Sequence, residues 1–179
     1  MTSRIENQDS RLIFLVGFMG SGKTTVGRLL AARLGYSFVD LDQIIEERAG
    51  LTVREIFRTR GETSFRELES GALAACRGLA QAVIALGGGA FVSEANRNSC
   101  RSMGKTIWLR CPLDICLARV ACDGSRPLLG GRAAMEALLS ERAPRYSEAE
   151  FVVDSGADSS NEVVDAILAA LDKGRLVRA

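Results

Sequence analysis

The chain has 179 residues, enough for one domain with a real core, and its 23 basic against 22 acidic residues leave a formal charge of +1. That balance does not suit a nucleic-acid coat or an acidic tail, and no apolar run is long enough to span a bilayer. The absence of His excludes Ser-His-Asp and Cys-His triads and two-histidine zinc sites, so any acid or base must be a carboxylate, Lys, Arg, Ser, Thr, Tyr or Cys.

Residues 1–10 are polar and read as a flexible N-terminus ahead of a single domain over 11–172, with 173–179 as a tail. Residues 11–16, RLIFLV, have the continuous apolar character of a parallel strand buried on both faces. A glycine-rich loop over 17–22 follows. A helix over 23–34 comes next, with Val26, Leu29, Leu30 and Leu34 at helical spacing and Gly35 as its stop. A second strand is predicted over 37–41, a helix over 42–49, and a capped helix from Thr52 that Gly61 closes. A longer helix is predicted over 64–76, a third strand over 82–86 running into Gly87, Gly88 and Gly89, and a fourth strand over 106–109. Residues 113–120 read as a helix, 122–133 as a mobile loop, 151–153 as a fifth strand and 161–171 as the closing helix. Strands alternating with helices predict an α/β sandwich around a largely parallel sheet.

The segment Gly17-Phe18-Met19-Gly20-Ser21-Gly22-Lys23-Thr24 matches GxxxxGK[ST] in full, between a strand and an amphipathic helix. This is a phosphate-binding loop. The candidate nucleotide-binding residues are Gly20, Ser21, Gly22, Lys23, Thr24 and Thr25. Backbone amides and the helix N-terminus favour the anionic phosphates, Lys23 is placed to reach the β- and γ-phosphates, and the Thr24 hydroxyl is placed for Mg²⁺. No guanine-reading NKxD segment occurs, so ATP is the expected donor.

Asp40 and Asp42 bracket Leu41 at the predicted end of the second strand, where open α/β sheets bind ligands. With no His available, an Asp is the natural group to orient an acceptor hydroxyl and take its proton, with capping of the helix that follows as the lesser alternative for Asp42. The three glycines strip side chains from a loop and expose amides to a small polar ligand, or make a tight turn alone. Arg66 stands three residues before Glu69 on a predicted helix, so the two can pair, and Arg66 and Arg145 are candidate clamps for a substrate carboxylate. The five Cys show no CxxC pair and read as buried thiols in a reducing compartment.

Taken together, GFMGSGKTTVGRLLAARLG, FVDLDQIIEERAG, IFRTRGETSFRELE, LGGGA, RPLL and ERAPRY resemble the shikimate kinase family over about residues 11–165. The resemblance implies transfer of the ATP γ-phosphoryl group to the 3-hydroxyl of shikimate on a P-loop three-layer sandwich. Its five-stranded parallel sheet would have the order 2-3-1-4-5, with acceptor-binding helices over about 42–78 and a lid over about 122–133. By similarity, Asp42 holds the reacting hydroxyl, Arg66 and Arg145 grip the shikimate carboxylate, Gly87, Gly88 and Gly89 line the pocket, and Phe57 and Phe65 pack against the ring. Asp40 resembles the residue that supports Mg²⁺ through water, Arg126 the lid arginine over the phosphates, and Arg119 the arginine stacked on adenine. The catalytic set is then Lys23, Asp42 and Arg126. The expected protein is a cytoplasmic monomer that binds ATP, Mg²⁺ and shikimate but neither nucleic acid nor membrane. A gluconate kinase or another small-metabolite kinase of the same fold is the alternative, followed by a non-catalytic nucleotide-binding module.

Overall fold

A computed structural model describes residues 11–123, 131–156 and 159–176. Strands β1 (Arg11–Val16), β2 (Ser37–Asp40), β3 (Gln81–Ala85), β4 (Gly104–Arg110) and β5 (Phe151–Asp154) form one sheet, ordered β2-β3-β1-β4-β5 with every pair parallel. The expected topology is therefore present. Strand β1 lies at the centre, and its period of two divides the core. Leu12, Phe14 and Val16 face one layer, where they meet Leu41, Ile45, Ile56, Phe65, Phe91 and Tyr146. Ile13 and Leu15 face the other, packing with Val26, Leu30, Val163, Val164 and Ile167. That second layer is built by α1 (Lys23–Leu34) and α7 (Ser160–Leu176). The first is built by α2 (Leu41–Ala49), α3 (Val53–Ala75), α4 (Glu94–Met103), α5 (Leu113–Asp123) and α6 (Gly131–Tyr146). No helix among the described residues is long and apolar enough to cross a membrane.

Local chemistry explains most boundaries. Gly35 closes α1 at φ 68°, and Thr52 and Glu55 form a reciprocal capping box at the start of α3. Gly61 breaks α3 at φ 78° and ψ 175°, so the two predicted helices are two arms of one kinked element. Strand β2 ends one residue earlier than predicted because Leu41 already opens α2, and β4 is longer than predicted at both ends. Helix α7 runs to Leu176, past the domain end placed at 172. The expected flexible residues 1–10 and the tail end 177–179 lie outside the described residues, as do 124–130, which include Arg126. The flanks of the predicted lid are helical, since α5 ends at Asp123 and α6 starts at Gly131.

Two helices have no counterpart in the sequence reading. Helix α4 buries Asn96 and Arg97 beside Cys100 and Met103, so its inward face carries no apolar stripe. Asn96 Nδ2 donates to the Ala90 carbonyl at 3.1 Å, and Arg97 Nη1 donates to the Phe91 and Val92 carbonyls at 3.1 and 2.6 Å. Helix α6 carries Pro144 in its last turn and buries only Met135 and Tyr146. Glu150 accepts from Lys105 Nζ of β4 at 2.6 Å.

Gly104 lies against Leu12 of β1, and a Cβ there would overlap the Leu12 carbonyl. Gly104→Ala should force β1 and β4 apart and lower the unfolding free energy by about 1–3 kcal/mol, read from urea midpoints.

Candidate active site

The site forms at the carboxyl ends of the strands. After β1 the chain turns through Gly17–Gly22 into α1. Gly20 sits at φ 73°, and a Cβ there would overlap the Cys116 carbonyl, so only glycine lets this loop lie against α5. Lys23 Nζ donates to the Gly17 and Phe18 carbonyls, both at 2.8 Å, and its charged head is thereby laid back across its own loop. Arg119 of α5 ties the loop to its neighbours. Its Nη1 donates to the Gly20 carbonyl at 3.3 Å and to the Ser155 carbonyl at 3.2 Å. Ser155, just after β5, donates through Oγ to the Ser21 carbonyl at 3.1 Å. The Ser21 hydroxyl oxygen is buried, with no hydrogen-bond partner among the described residues. Below the loop, the Cys111 thiol is pulled down to about 7, first by a hydrogen bond with Cys116 and then by the Arg119 charge, against its burial; Cys116 is pushed up by the same bond. Both Lys23 and Arg119 act on these thiols in the lowering direction, the sign of charge that an anion site requires.

The two aspartates at the end of β2 divide their work. Asp40 is the N-cap of α2: its Oδ1 accepts from the Asp42 amide at 3.1 Å, and its Oδ2 accepts from Thr24 Oγ1 at 2.9 Å. Asp42 is therefore not the cap. It lies in the first turn of α2 and reaches toward Gly87, where a Cβ would come within 2.6 Å of Asp42 Oδ1 and 3.1 Å of Glu69 Oε1. Glycine at 87 is what brings both carboxylates against the backbone. Thr24, Asp40, Asp42, Gly87, Gly88 and Arg119 all line one cleft of about 720 Å³.

On the acceptor side, Arg66 Nη1 donates to Glu69 Oε2 at 2.9 Å, and its Nη2 donates to Glu62 Oε1 at 3.1 Å. The guanidinium carbon lies 6.0 Å from the Phe57 ring centre and 5.3 Å from that of Phe65. The two rings are 4.5 Å apart. A Cβ on Gly89 would overlap the same guanidinium. Phe57, Phe65, Arg66 and Gly89 therefore come together, with Gly87 joined to them through Glu69.

Arg145 does not join them. It is exposed, and its Nη1 donates to Glu148 Oε1 at 3.2 Å. The arginine on the inner face of α6 is Arg142, whose Nη1 lies 3.4 Å from where a Cβ on Gly88 would stand. The reason is helical geometry. Tyr146 is fully buried, and Arg142 precedes it by one turn on the same face, whereas Arg145 is rotated about 100° away. Sequence reasoning missed Arg142 because the ERAPRY segment was not read as a helix. Tyr146 and Ser155 were missed as well: Tyr146 was the buried anchor that would have set the face, and Ser155 gave no local signal.

Burial raises the Glu69 carboxyl above its ordinary range, and Asp42 adds to that, against the lowering pull of Arg66 and Arg142. The Glu69 Oε1 atom has no hydrogen-bond partner among the described residues. The native protein thus keeps a proton at Glu69 that the unfolded chain has already released, and stability falls as pH rises through that window. Glu69→Gln cannot ionise and should flatten this part of the profile, measured as urea midpoints from about pH 4 to about pH 8.

A family model described as shikimate kinase matches residues 19–172. The shikimate kinase of Moorella thermoacetica is 47% identical over 161 residues, covering 89% of this chain and 93% of the relative. That of Geobacter sulfurreducens is 43% identical, covering 89% and 90%. Among solved structures, the shikimate kinase of Acinetobacter baumannii in complex with shikimate superposes with a TM-score of 0.86 at 35% identity, over 93% of this chain and 95% of that one. A gluconokinase from Sinorhizobium meliloti, at 18% identity and a TM-score of 0.62 over 96% of this chain and 98% of that one, shares the fold alone.

Proposed function

The chain belongs to the shikimate kinase family, which phosphorylates shikimate with ATP, and from that premise we propose the residues that carry the transfer to the 3-hydroxyl. The observation that carries this reading is a single cleft joining two chemistries. At one end Lys23, Thr24 and the loop amides face an anion. At the other, Asp42 and the glycine turn adjoin two arginines suited to a carboxylate.

In the proposed reaction, Asp42 orients the 3-hydroxyl and accepts its proton as the oxygen bonds to the γ-phosphorus. The bond from that phosphorus to the β,γ-bridging oxygen breaks in line, and ADP leaves with the electron pair. Lys23 turns from its loop carbonyls to the β- and γ-phosphates, and Arg126 contributes a second positive charge from the lid. Arg119 borders the nucleotide end and Ser155 braces it. Arg66, held by Glu69, and Arg142 bind the shikimate carboxylate, while Phe57 and Phe65 shield one side of the ring. The described residues show no cluster of three or more metal-ligating side chains. The convergence of Thr24 Oγ1 with Asp40 Oδ2 at 2.9 Å instead suits a Mg²⁺ bound mainly by phosphates and water. When bound, Mg²⁺ offsets negative charge on the phosphates.

The proposed working form is a cytoplasmic monomer. Cys76, Cys100, Cys111 and Cys116 are buried free thiols, as a reducing compartment favours.

Asp42→Asn should lower kcat by about 10²–10⁴ while leaving ATP binding unchanged, measured by coupled assay and calorimetry. Near-normal turnover would remove Asp42 from its role. Arg142→Ala should raise the KM for shikimate about 10- to 100-fold, whereas Arg145→Ala should change it less than about twofold. The reverse ranking would restore Arg145 as the clamp.

A further inference from the structure

Gly87 to Ala90 form a turn closed by a hydrogen bond from the Ala90 amide to the Gly87 carbonyl at 3.1 Å. Gly89 has φ −98° and ψ −17°, and Gly88 is not among the positive-φ glycines. These values describe a type I turn. A type II turn would rotate the central Gly88–Gly89 peptide by about 180° and carry Gly89 to a φ near +80°. With glycine at both central positions, no Cβ opposes that rotation. The glycine triplet by itself therefore leaves the facing of this peptide open, and something else must choose it.

We propose that Tyr146 is a positioning residue for the acceptor: its hydroxyl selects the orientation of the Gly88–Gly89 peptide and anchors Arg142 beside it. This rests on the shikimate kinase reading for the identity of the acceptor alone. The Tyr146 hydroxyl donates to the Gly88 carbonyl. Its ring is fully buried, with the Trp108 ring centre 6.0 Å away, so the hydroxyl cannot swing out to water. All described peptides are trans. The Gly89 N–H is thus antiparallel to the captured carbonyl and aimed away from Tyr146, in a turn whose Gly87 and Gly88 line the cleft. Rotating the peptide would strip the buried hydroxyl of its acceptor and turn this amide away from the ligand. Arg142 Nη1 and this hydroxyl lie 3.4 and 3.7 Å from one point, the place where a Cβ on Gly88 would stand. The group that donates to the turn therefore also sits beside the guanidinium, and it sets the turn amide relative to that second donor. Helix α6 makes this possible by placing Arg142 and Tyr146 one turn apart on its inner face.

Tyr146→Phe keeps the ring and its packing and removes only the hydroxyl. With shikimate and ATP as the probes, the KM for shikimate should rise about tenfold while the KM for ATP stays within about twofold and kcat falls by less than about threefold. In parallel, the Gly89 amide resonance of [¹⁵N]glycine-labelled protein without ligands should shift and its exchange with solvent should change. An unaltered KM for shikimate, an equal rise in both KM values, or an unmoved Gly89 amide would each overturn the proposal. If the wild-type protein fails to phosphorylate shikimate, the acceptor assignment falls. The Gly89 amide still decides whether Tyr146 sets the turn.

Discussion

The site depends on how the chain passes from β2 into α2. Two carboxylates stand two residues apart there, and an uninterrupted strand would send both to the same face of the sheet. The break at Leu41 separates them. Asp40 spends one oxygen capping α2 and the other on Thr24, which fastens it to the phosphate-binding loop. Asp42, now in the first turn of a helix, is swung to Gly87. The N-cap bond is thus a local helix-forming interaction with a distant result. It assigns one aspartate to the nucleotide end and the other to the acceptor end of a single cleft.

The missing side chains of the glycine loops complete this division. A Cβ at 87 would crowd Asp42 and Glu69, one at 89 would overlap Arg66, and one at 20 would overlap the carbonyl of Cys116. Charged groups approach the backbone closely because nothing stands between them. Close approach carries an electrostatic cost as well. Glu69 is buried beside Asp42, and its proton is held more tightly than usual even with Arg66 and Arg142 near. The carboxylates Asp42, Glu62 and Glu69 stand against Arg66 and Arg142 around this pocket.

Much of this was legible in the sequence because it is local. The phosphate-binding loop, the Thr52 capping box and the Arg66–Glu69 pair all lie within eight residues, and their spacing dictates their geometry. The parallel strands were legible because burial on both faces leaves a continuous apolar run. Helix α4 was not, because its inward face holds Asn96 and Arg97, polar side chains whose burial is compensated by the carbonyls of Ala90, Phe91 and Val92 just upstream and which interrupt the apolar period. Helix α6 was not, because Pro144 and a mostly exposed surface conceal its period. Reading Arg145 in place of Arg142 followed from that. In an extended segment either could turn toward the glycine turn, but in a helix the buried Tyr146 places Arg142 on that face.

The charge balance also bears on which acceptor fits. Arg66 is already compensated by Glu62 and Glu69, so a neutral ligand gains little from it. A carboxylate arriving between Arg66 and Arg142 adds a negative charge near a buried carboxyl that already resists ionisation. In the proposed reading, that charge is accommodated most readily with Glu69 protonated. Orientation in that reading follows from this asymmetry. The carboxylate end of the acceptor would be directed to the arginines and its hydroxyl end to Asp42, because the opposite placement would set two carboxylates against each other in a partly dry cleft. On that reading a chain without histidine activates its acceptor with a carboxylate where other sites use imidazole.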